Sequence, residues 1–117
     1  MTTVKLKKIE IAEIEVLQGE LLNFLTLKNA RLGFLQKTEN EYFDTLLTVD
    51  ILQKLYYNFR GKIEKVSKTL GSLTLTVSES VMLMQVCSES ATLQSDYCRH
   101  VLQKFLNLLF NELINLN

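Results

Sequence analysis

The sulfur-containing residues Met82, Met84 and Cys87 are the side chains best suited to hold a soft metal, because thioether and thiolate ligands suit Cu(I). On a regular helix, Met82 and Met84 would point about 200° apart, so their sulfur atoms could not converge on one ion. Met and Cys are also common residues of a hydrophobic core. The spacing therefore favours packing, and we predict neither a metal site nor a cofactor.

Cys98 and His100 are the residue types of a thiol nucleophile and its base. Two residues apart on a helix, their side chains diverge, unless a break in the chain brings Cys87 against His100 instead. The sequence has no C-x-x-C, H-E-x-x-H or Glu-x-x-His motif and no phosphate-binding loop. We therefore predict that the protein is not an enzyme.

Glu10, Glu13 and Glu15 supply carboxylates, but general acid-base catalysis requires a pair held in a pocket with perturbed pKa values. The pattern around them indicates no pocket and fits the acidic first turn of a helix, which the helix dipole favours. The same residues interrupt the apolar region that a signal peptide needs, so secretion by that route is not expected.

The C-terminal segment carries the most distinctive pattern in the chain. Its wide apolar arc consists of Leu102, Phe105, Leu106, Leu109, Phe110, Leu113 and Leu116. Beside the arc, uncharged polar residues recur at four-residue steps: Gln103, Asn107, Asn111 and Asn115, with Lys104 at their flank. A solvated helix usually carries Glu and Lys instead. Two interpretations stay open: an interface with a partner protein or a second copy, or a plain Asn-rich surface.

A local excess of positive charge lies between residues 54 and 68. Five basic residues stand there against the single acid Glu64, and the candidate nucleic-acid-binding residues are Lys54, Tyr57, Lys62, Lys65 and Lys68. Such a stripe could follow phosphates, with the tyrosine as a neighbouring aromatic ring. The alternative is the solvated back of an amphipathic helix.

Composition limits the remaining classes of protein. The chain has 117 residues, a formal net charge of zero, two cysteines and no proline. This length suits one domain, residues 1–117, and two cysteines are too few for a disulfide scaffold, which favours a reducing, cytoplasmic compartment. No segment is apolar over the length that a membrane span needs. The absence of proline favours long helices.

The elements that would position these residues are predicted from apolar periodicity. Residues 4–16 alternate like a strand, but the phase breaks at Lys7 and Lys8, and a one-residue slip would turn a strand's apolar set to the wrong face. A helix from about 8 to 31 is therefore expected. The strongest pattern is a heptad seam that predicts a second helix over 38–70, capped by Thr38 and Glu41 and packed against the first and last helices. A second possible cap leaves a break near residue 48 open. The seam positions are Tyr42, Val49, Leu52, Tyr56, Phe59, Ile63, Val66 and Leu70.

The segment SLTLTV, residues 72–77, alternates like a strand but has no obvious partner, so we interpret it as an extended connector after Gly71. Thr76 and Glu79 have the spacing of a capping box, although Ser78 is a rival cap. A third helix is expected from there, with a kink or break near 88–96, and its final part over about 93–116.

Together these patterns predict an all-α protein: an antiparallel helical bundle of three long helices, the last broken to give four segments. The function that fits best is a non-enzymatic protein-protein interaction or assembly module that self-associates through the C-terminal helix. The alternative is a nucleic-acid-binding protein that uses the basic face of residues 54–68. No membrane and no small-molecule substrate is expected as a partner.

Overall fold

The computed structural model describes residues 2–65, 69–89 and 95–116. Its elements are, in chain order, β1 (Thr3–Glu10), α1 (Ile11–Leu32), α2 (Asn40–Lys65), β2 (Thr69–Thr76), α3 (Val77–Glu89) and α4 (Asp96–Ile114). The chain is mostly helical, but it also contains a two-stranded antiparallel sheet. Within the described residues the predicted predominance of helix is confirmed, but the fold has four helices and one sheet rather than an all-α bundle of three long helices.

Strand β1 replaces the first turn of the N-terminal helix, which was predicted from about residue 8. Val4, Leu6 and Ile9 are all buried although the spacing between them changes from two residues to three. The structure accommodates the extra residue as a β-bulge at Lys8, whose φ is +60°. The phase break that had argued against a strand is thus absorbed by the backbone, and α1 begins only at Ile11.

Strand β2 is the segment that was interpreted as a connector without a partner, and its partner is β1. The register pairs Val4 with Leu75 and Leu6 with Leu73, and all four side chains are buried. Gly71 has the left-handed φ that the sequence suggested, +86°, but it lies within the strand, paired with Ile9 beside the bulge. Thr69 and Leu70, which were expected to end the second helix, belong to this strand.

Each strand runs directly into a helix. Thr76 and Glu79 form the predicted capping box: Thr76 N–H donates to Glu79 Oε1 at 2.8 Å, and Glu79 N–H donates to Thr76 Oγ1 at 3.1 Å. At the end of β1, Glu10 N–H donates to Glu13 Oε1 at 3.0 Å. Among the described residues the order strand, helix, helix therefore occurs twice, without a visible repeat in the sequence.

Helix α2 forms close to its predicted place but begins at Asn40, and the side chain of Glu41 has a partner other than the predicted cap Thr38. Glu41 instead accepts from Arg31 of α1 at 3.0 and 2.9 Å. Helix α2 packs mainly against α1 and less against α3, rather than chiefly against the first and last helices. Of its predicted seam, Val49, Leu52 and Phe59 are buried, whereas Val66 and the side chain of Leu70 lie outside the described residues.

The core lies between the inner face of the sheet and the helices. It unites buried side chains from every element, among them Leu6, Leu17, Phe59, Leu83 and Phe105. Helix α3 packs against α4, and α4 also contacts β1. The predicted division between the last two helices lies between Glu89 and Asp96, and residues 90–94 of the expected break are outside the described residues.

Candidate functional site: three exposed surfaces

Helix α4 is fixed at its start by its own cap. Ser95 has an extended backbone, and its Oγ accepts from Cys98 N–H at 3.2 Å, while Asp96 places a negative charge in the first turn. The helix then runs to Ile114, and Asn115 Nδ2 donates to Asn111 O at 2.8 Å near its end. These contacts set which side chains face the core.

Three residues of the predicted interface lie in the core instead. Leu102, Phe105 and Leu109 are buried, with Phe105 and Leu109 fully enclosed. In the folded monomer they cannot contact a partner, because they pack against the other elements. Leu106 and Leu113 are half-buried at the edge of this core.

The exposed side of α4 carries the rest of the predicted interface, and we call it the α4 face. Its members lie within about 100° of one another around the helix. They are Gln103, Asn107, Phe110, Asn111 and Ile114, and all five are exposed. Phe110 is 53% exposed and Ile114, which the sequence interpretation did not include, is 60% exposed. Asn115 is exposed at the end of the helix.

None of the five members of the α4 face is charged, and Lys104, which flanks them in the sequence, turns away. The exposed and mutually paired Arg99 and Asp96 lie on the same side of the helix, before Gln103. Lys104 Nζ lies 2.9 and 2.7 Å from the two carboxylate oxygens of Glu13 on α1, and 5.8 Å from the centre of the Phe105 ring. The Glu13 side chain is only 10% exposed and that of Lys104 39% exposed. The sequence placed this lysine beside the polar row, whereas the structure gives it a partner distant in sequence.

Two side chains of the α4 face form a hydrogen bond with each other. Gln103 Nε2 donates to Asn107 Oδ1 at 3.0 Å, which pairs two of the uncharged side chains along the helix. Around Phe110 and Ile114 the face therefore offers amide groups and apolar surface without a formal charge. Chemically, it can bind an apolar surface but offers no nucleophile and no proton donor of unusual strength.

The predicted basic face of α2 is partly neutralised. Lys54 Nζ lies 3.0 Å from Asp50 Oδ2, and Arg60 Nε lies 3.2 Å from Glu64 Oε1. Asp50 precedes the segment used for the charge count and was missed for that reason. Of the candidate residues, Lys65 is exposed and Lys62 is half-buried.

The remaining members of that basic face are Tyr57 and Lys68. Tyr57 is exposed, and its ring meets that of Tyr56 edge to face at 5.6 Å between centroids. Lys68 lies outside the described residues. The structure thus brings Lys54 and Tyr57 to the same exposed side of α2, together with an acid.

A shallow apolar groove lies nearer the N-terminus of α2, and the sequence interpretation missed it. It has a volume of about 420 Å³ and is lined mainly by Phe43, Leu46, Leu47 and Val49. The signal was present, because Phe43, Leu46 and Leu47 are apolar residues at i, i+3 and i+4 that stand outside the heptad seam. They are exposed in the folded chain.

The sulfur and histidine candidates lie in different surroundings, with Cys98 half-buried and His100 exposed on α4. Met82 and Met84 pack against the core, as predicted. Burial raises the pKa of the Cys87 thiol to about 12, and the nearby Glu20 carboxylate adds to the increase, so the nucleophilic thiolate is disfavoured. No group of three or more His, Cys, Asp or Glu side chains that could hold a metal occurs within the ranges that the structure describes.

Within the described ranges, no helix is both long enough and apolar enough to cross a bilayer.

In comparisons with known proteins, no family profile, no curated protein and no solved structure matches this chain.

Proposed function

We propose that the protein is a non-enzymatic assembly module that self-associates through the α4 face. The observation that supports this most is the exposure of Phe110 and Ile114 side by side in uncharged surroundings. Burying a large apolar side chain fully stabilises a complex by about 1.5–3 kcal/mol relative to leaving it in water. Two such residues supply a driving force for association.

The polar members of the α4 face favour the same function. Gln103, Asn107 and Asn111 are amides, which cost less to remove from water than the charged side chains that usually cover a solvated helix. Gln103 and Asn107 already satisfy part of their hydrogen-bonding capacity within the helix. Association therefore does not require the separation or burial of ions on this face.

A second copy of the chain is the partner that these surroundings favour. An uncharged face meets no electrostatic repulsion from itself, and the formal net charge of the molecule is zero. Two α4 helices related by a two-fold axis would place Phe110 and Ile114 of each copy against the same residues of the other. Because one helix face is smaller than a standard interface of about 800 Å² per partner, we expect a dissociation constant on the order of micromolar.

The first test is the solution mass of the wild type and of Phe110→Glu, measured by light scattering over a range of protein concentrations at low and high salt. The wild type should form a dimer that persists at high salt, because burial of apolar area is not screened by ions. Phe110→Glu should be a folded monomer at the same concentrations, since the dimer would bury an unpaired carboxylate.

The matched control is Phe43→Glu, which introduces the same charge at a phenylalanine of similar exposure, 58%, in the groove of α2. It should leave the mass of the dimer unchanged. A wild type that stays monomeric throughout would refute self-association. A dimer that dissociates in Phe43→Glu but persists in Phe110→Glu would move the interface to α2.

A further inference from the structure

The outward face of the sheet is a second exposed surface, and neither the core nor the α4 face uses it. Antiparallel pairing places its side chains in three cross-strand pairs: Thr3 with Thr76, Lys5 with Thr74, and Lys7 with Ser72. We call these six residues, together with Lys8, the ribbon face. All are exposed except Ser72, which is half-buried.

The ribbon face is positively charged. Lys5, Lys7 and Lys8 all belong to β1. The residues of β2 that pair with this part of β1 carry hydroxyl groups rather than carboxylates. The acids near the ribbon lie at its two ends: Glu10 where β1 enters α1, and Glu79, which accepts Thr76 N–H in the capping box of α3. Between these ends the described surface offers ammonium and hydroxyl groups alone.

The bulge at Lys8 adds to this positive charge. In a regular strand Lys7 and Lys8 would point to opposite faces, and one of them would enter the core. The left-handed φ of Lys8 lets both side chains stay exposed while Ile9 returns to the core. A sparsely populated backbone conformation thus brings a third lysine to the ribbon.

The ribbon is supported firmly enough to act as a recognition element. Its inner face consists of fully or nearly fully buried side chains: Val4, Leu6, Ile9, Leu73 and Leu75. Those residues anchor it on the core, so the outward side chains project from a fixed backbone. Binding would not require the ordering of a flexible segment, which lowers its entropic cost.

We propose that the ribbon face binds double-stranded DNA by entering the major groove. The major groove of B-form DNA is about 12 Å wide and admits a two-stranded β-ribbon. Thr3 to Lys7 spans about 13 Å at the rise of a strand, which is about the length over which the ribbon can contact base edges. Lysine ammonium groups suit phosphates and the O6 and N7 acceptors of guanine, and Thr and Ser hydroxyls can donate to or accept from base edges.

The same geometry disfavours duplex RNA. The major groove of an A-form helix is deep and narrow, so side chains cannot reach its base edges, although its phosphates carry the same charge. A protein that binds only through charge would accept both duplexes. Insertion of the ribbon into a groove predicts a preference for DNA.

The test is fluorescence anisotropy with a labelled 20-base-pair DNA duplex of mixed sequence and an RNA duplex of the same sequence. Contact of three lysines with phosphates would give a slope of log affinity against log salt of about −2.7, hence about a 40-fold loss between 50 and 200 mM salt. The wild type should bind the DNA at least tenfold more tightly than the RNA.

Two double variants with the same change of charge locate the site. Lys5→Thr with Lys7→Thr keeps residues suited to a strand and should weaken DNA binding about tenfold or more at 50 mM salt, with a shallower salt slope. Lys54→Thr with Lys65→Thr removes two lysines from α2 and should change the affinity less than twofold. Circular dichroism would confirm that both variants are folded.

A measurement on the wild type makes the test independent of the folding of the variants. Bound DNA should protect Lys5, Lys7 and Lys8 from acetylation, as read by mass spectrometry, and should leave Lys65 reactive. Absence of binding at 50 mM salt would overturn the proposal, as would equal affinity for RNA, equal loss in the two double variants, or protection confined to α2. The ribbon face and the α4 face share no residue, so either proposal can fail without the other.

Discussion

At the scale of single residues, substitution of Lys8 can separate the effect of its backbone conformation on stability from the effect of its charge. A non-glycine residue in the left-handed region costs about 1–2 kcal/mol, and glycine in a regular strand costs roughly 0.5–1 kcal/mol relative to alanine. Lys8→Gly should therefore be as stable as the wild type or slightly more stable, because its φ is +60°. Lys5→Gly removes the same charge from the regular part of β1 and should lower the free energy of unfolding.

Urea denaturation of the two variants measures this difference. We expect the free energy of unfolding of Lys8→Gly to exceed that of Lys5→Gly by about 1–2 kcal/mol, from the same backbone terms. Equal destabilisation in both would mean that Lys8 does not adopt the bulge conformation in solution.

The two cysteines should differ in reactivity. Cys98 is half-buried, whereas Cys87 is buried and its pKa is raised to about 12, so at pH 8 a thiol reagent should modify Cys98 in the native protein and Cys87 only on unfolding. Mass spectrometry of partly labelled protein would show which site reacts. Labelling of both cysteines at the same rate in the folded protein would contradict the burial of Cys87.

The raised pKa of Cys87 also makes the stability of the folded protein depend on pH. An unfolded thiol ionises near its ordinary pKa of 9.0, whereas the folded Cys87 stays protonated to about 12. Its contribution to stability is therefore fully present below about pH 9 and is lost as the pH rises from 9 towards 12.

At the scale of elements, the ion pair between Glu13 and Lys104 connects the first turn of α1 to α4. Lys104→Met should lower the free energy of unfolding by about 2–3 kcal/mol, because it leaves the buried Glu13 carboxylate without a cation. Glu13→Gln should cost less, since Lys104 is 39% exposed and water can replace its partner. Chemical denaturation of both variants and of the double variant measures the coupling.

The expected order and the coupling can each be contradicted. If the pair acts as the structure indicates, the double variant should be more stable than the sum of the two single losses predicts, because neither charge is then left alone. Strictly additive losses would show that the two side chains do not interact.

The helices were predictable from the sequence because their signals are local. The heptad seam placed α2 within a few residues of its observed bounds, and the capping box at Thr76 and Glu79 identified the start of α3. For α4, apolar periodicity found the correct helix but could not tell which part of the wide arc is core. That division depends on the neighbours of Leu102, Phe105 and Leu109, which a periodicity does not contain.

The sheet was not predictable by the same reasoning, because each strand can be recognised only when its pairing partner is known. A lone strand over 72–77 had no partner, since the bulge at Lys8 disguised β1 as a segment with a broken phase. Because the strand interpretation of residues 4–16 was rejected for a helix from about residue 8, the lysines of β1 could not be seen to share a face with Thr74. The ribbon face could not be predicted without the strand. The contact between Lys104 and Glu13 could not be predicted either, because the two residues are distant in the sequence.

At the scale of the whole molecule, the surfaces proposed for binding have different chemistry. The α4 face is uncharged and suits a second copy of a neutral protein, whereas the ribbon face concentrates three lysines in a molecule whose formal net charge is zero. Association at the first surface should therefore be insensitive to salt, and association at the second should be steeply sensitive. Ionic strength should therefore separate the two proposed activities in one preparation.

The pairing of β1 with β2 also has a consequence for how the protein is made. The two strands are separated in the chain by all of α1 and α2, so the ribbon cannot form until residue 76 has left the ribosome. At about 5–20 residues per second, β1 waits roughly 3–13 seconds for its partner. During that time Val4, Leu6 and Ile9 lack the cover that β2 will give them, and an unpaired strand edge is a template for other chains. Synthesis is therefore a stage at which this chain is open to mispairing.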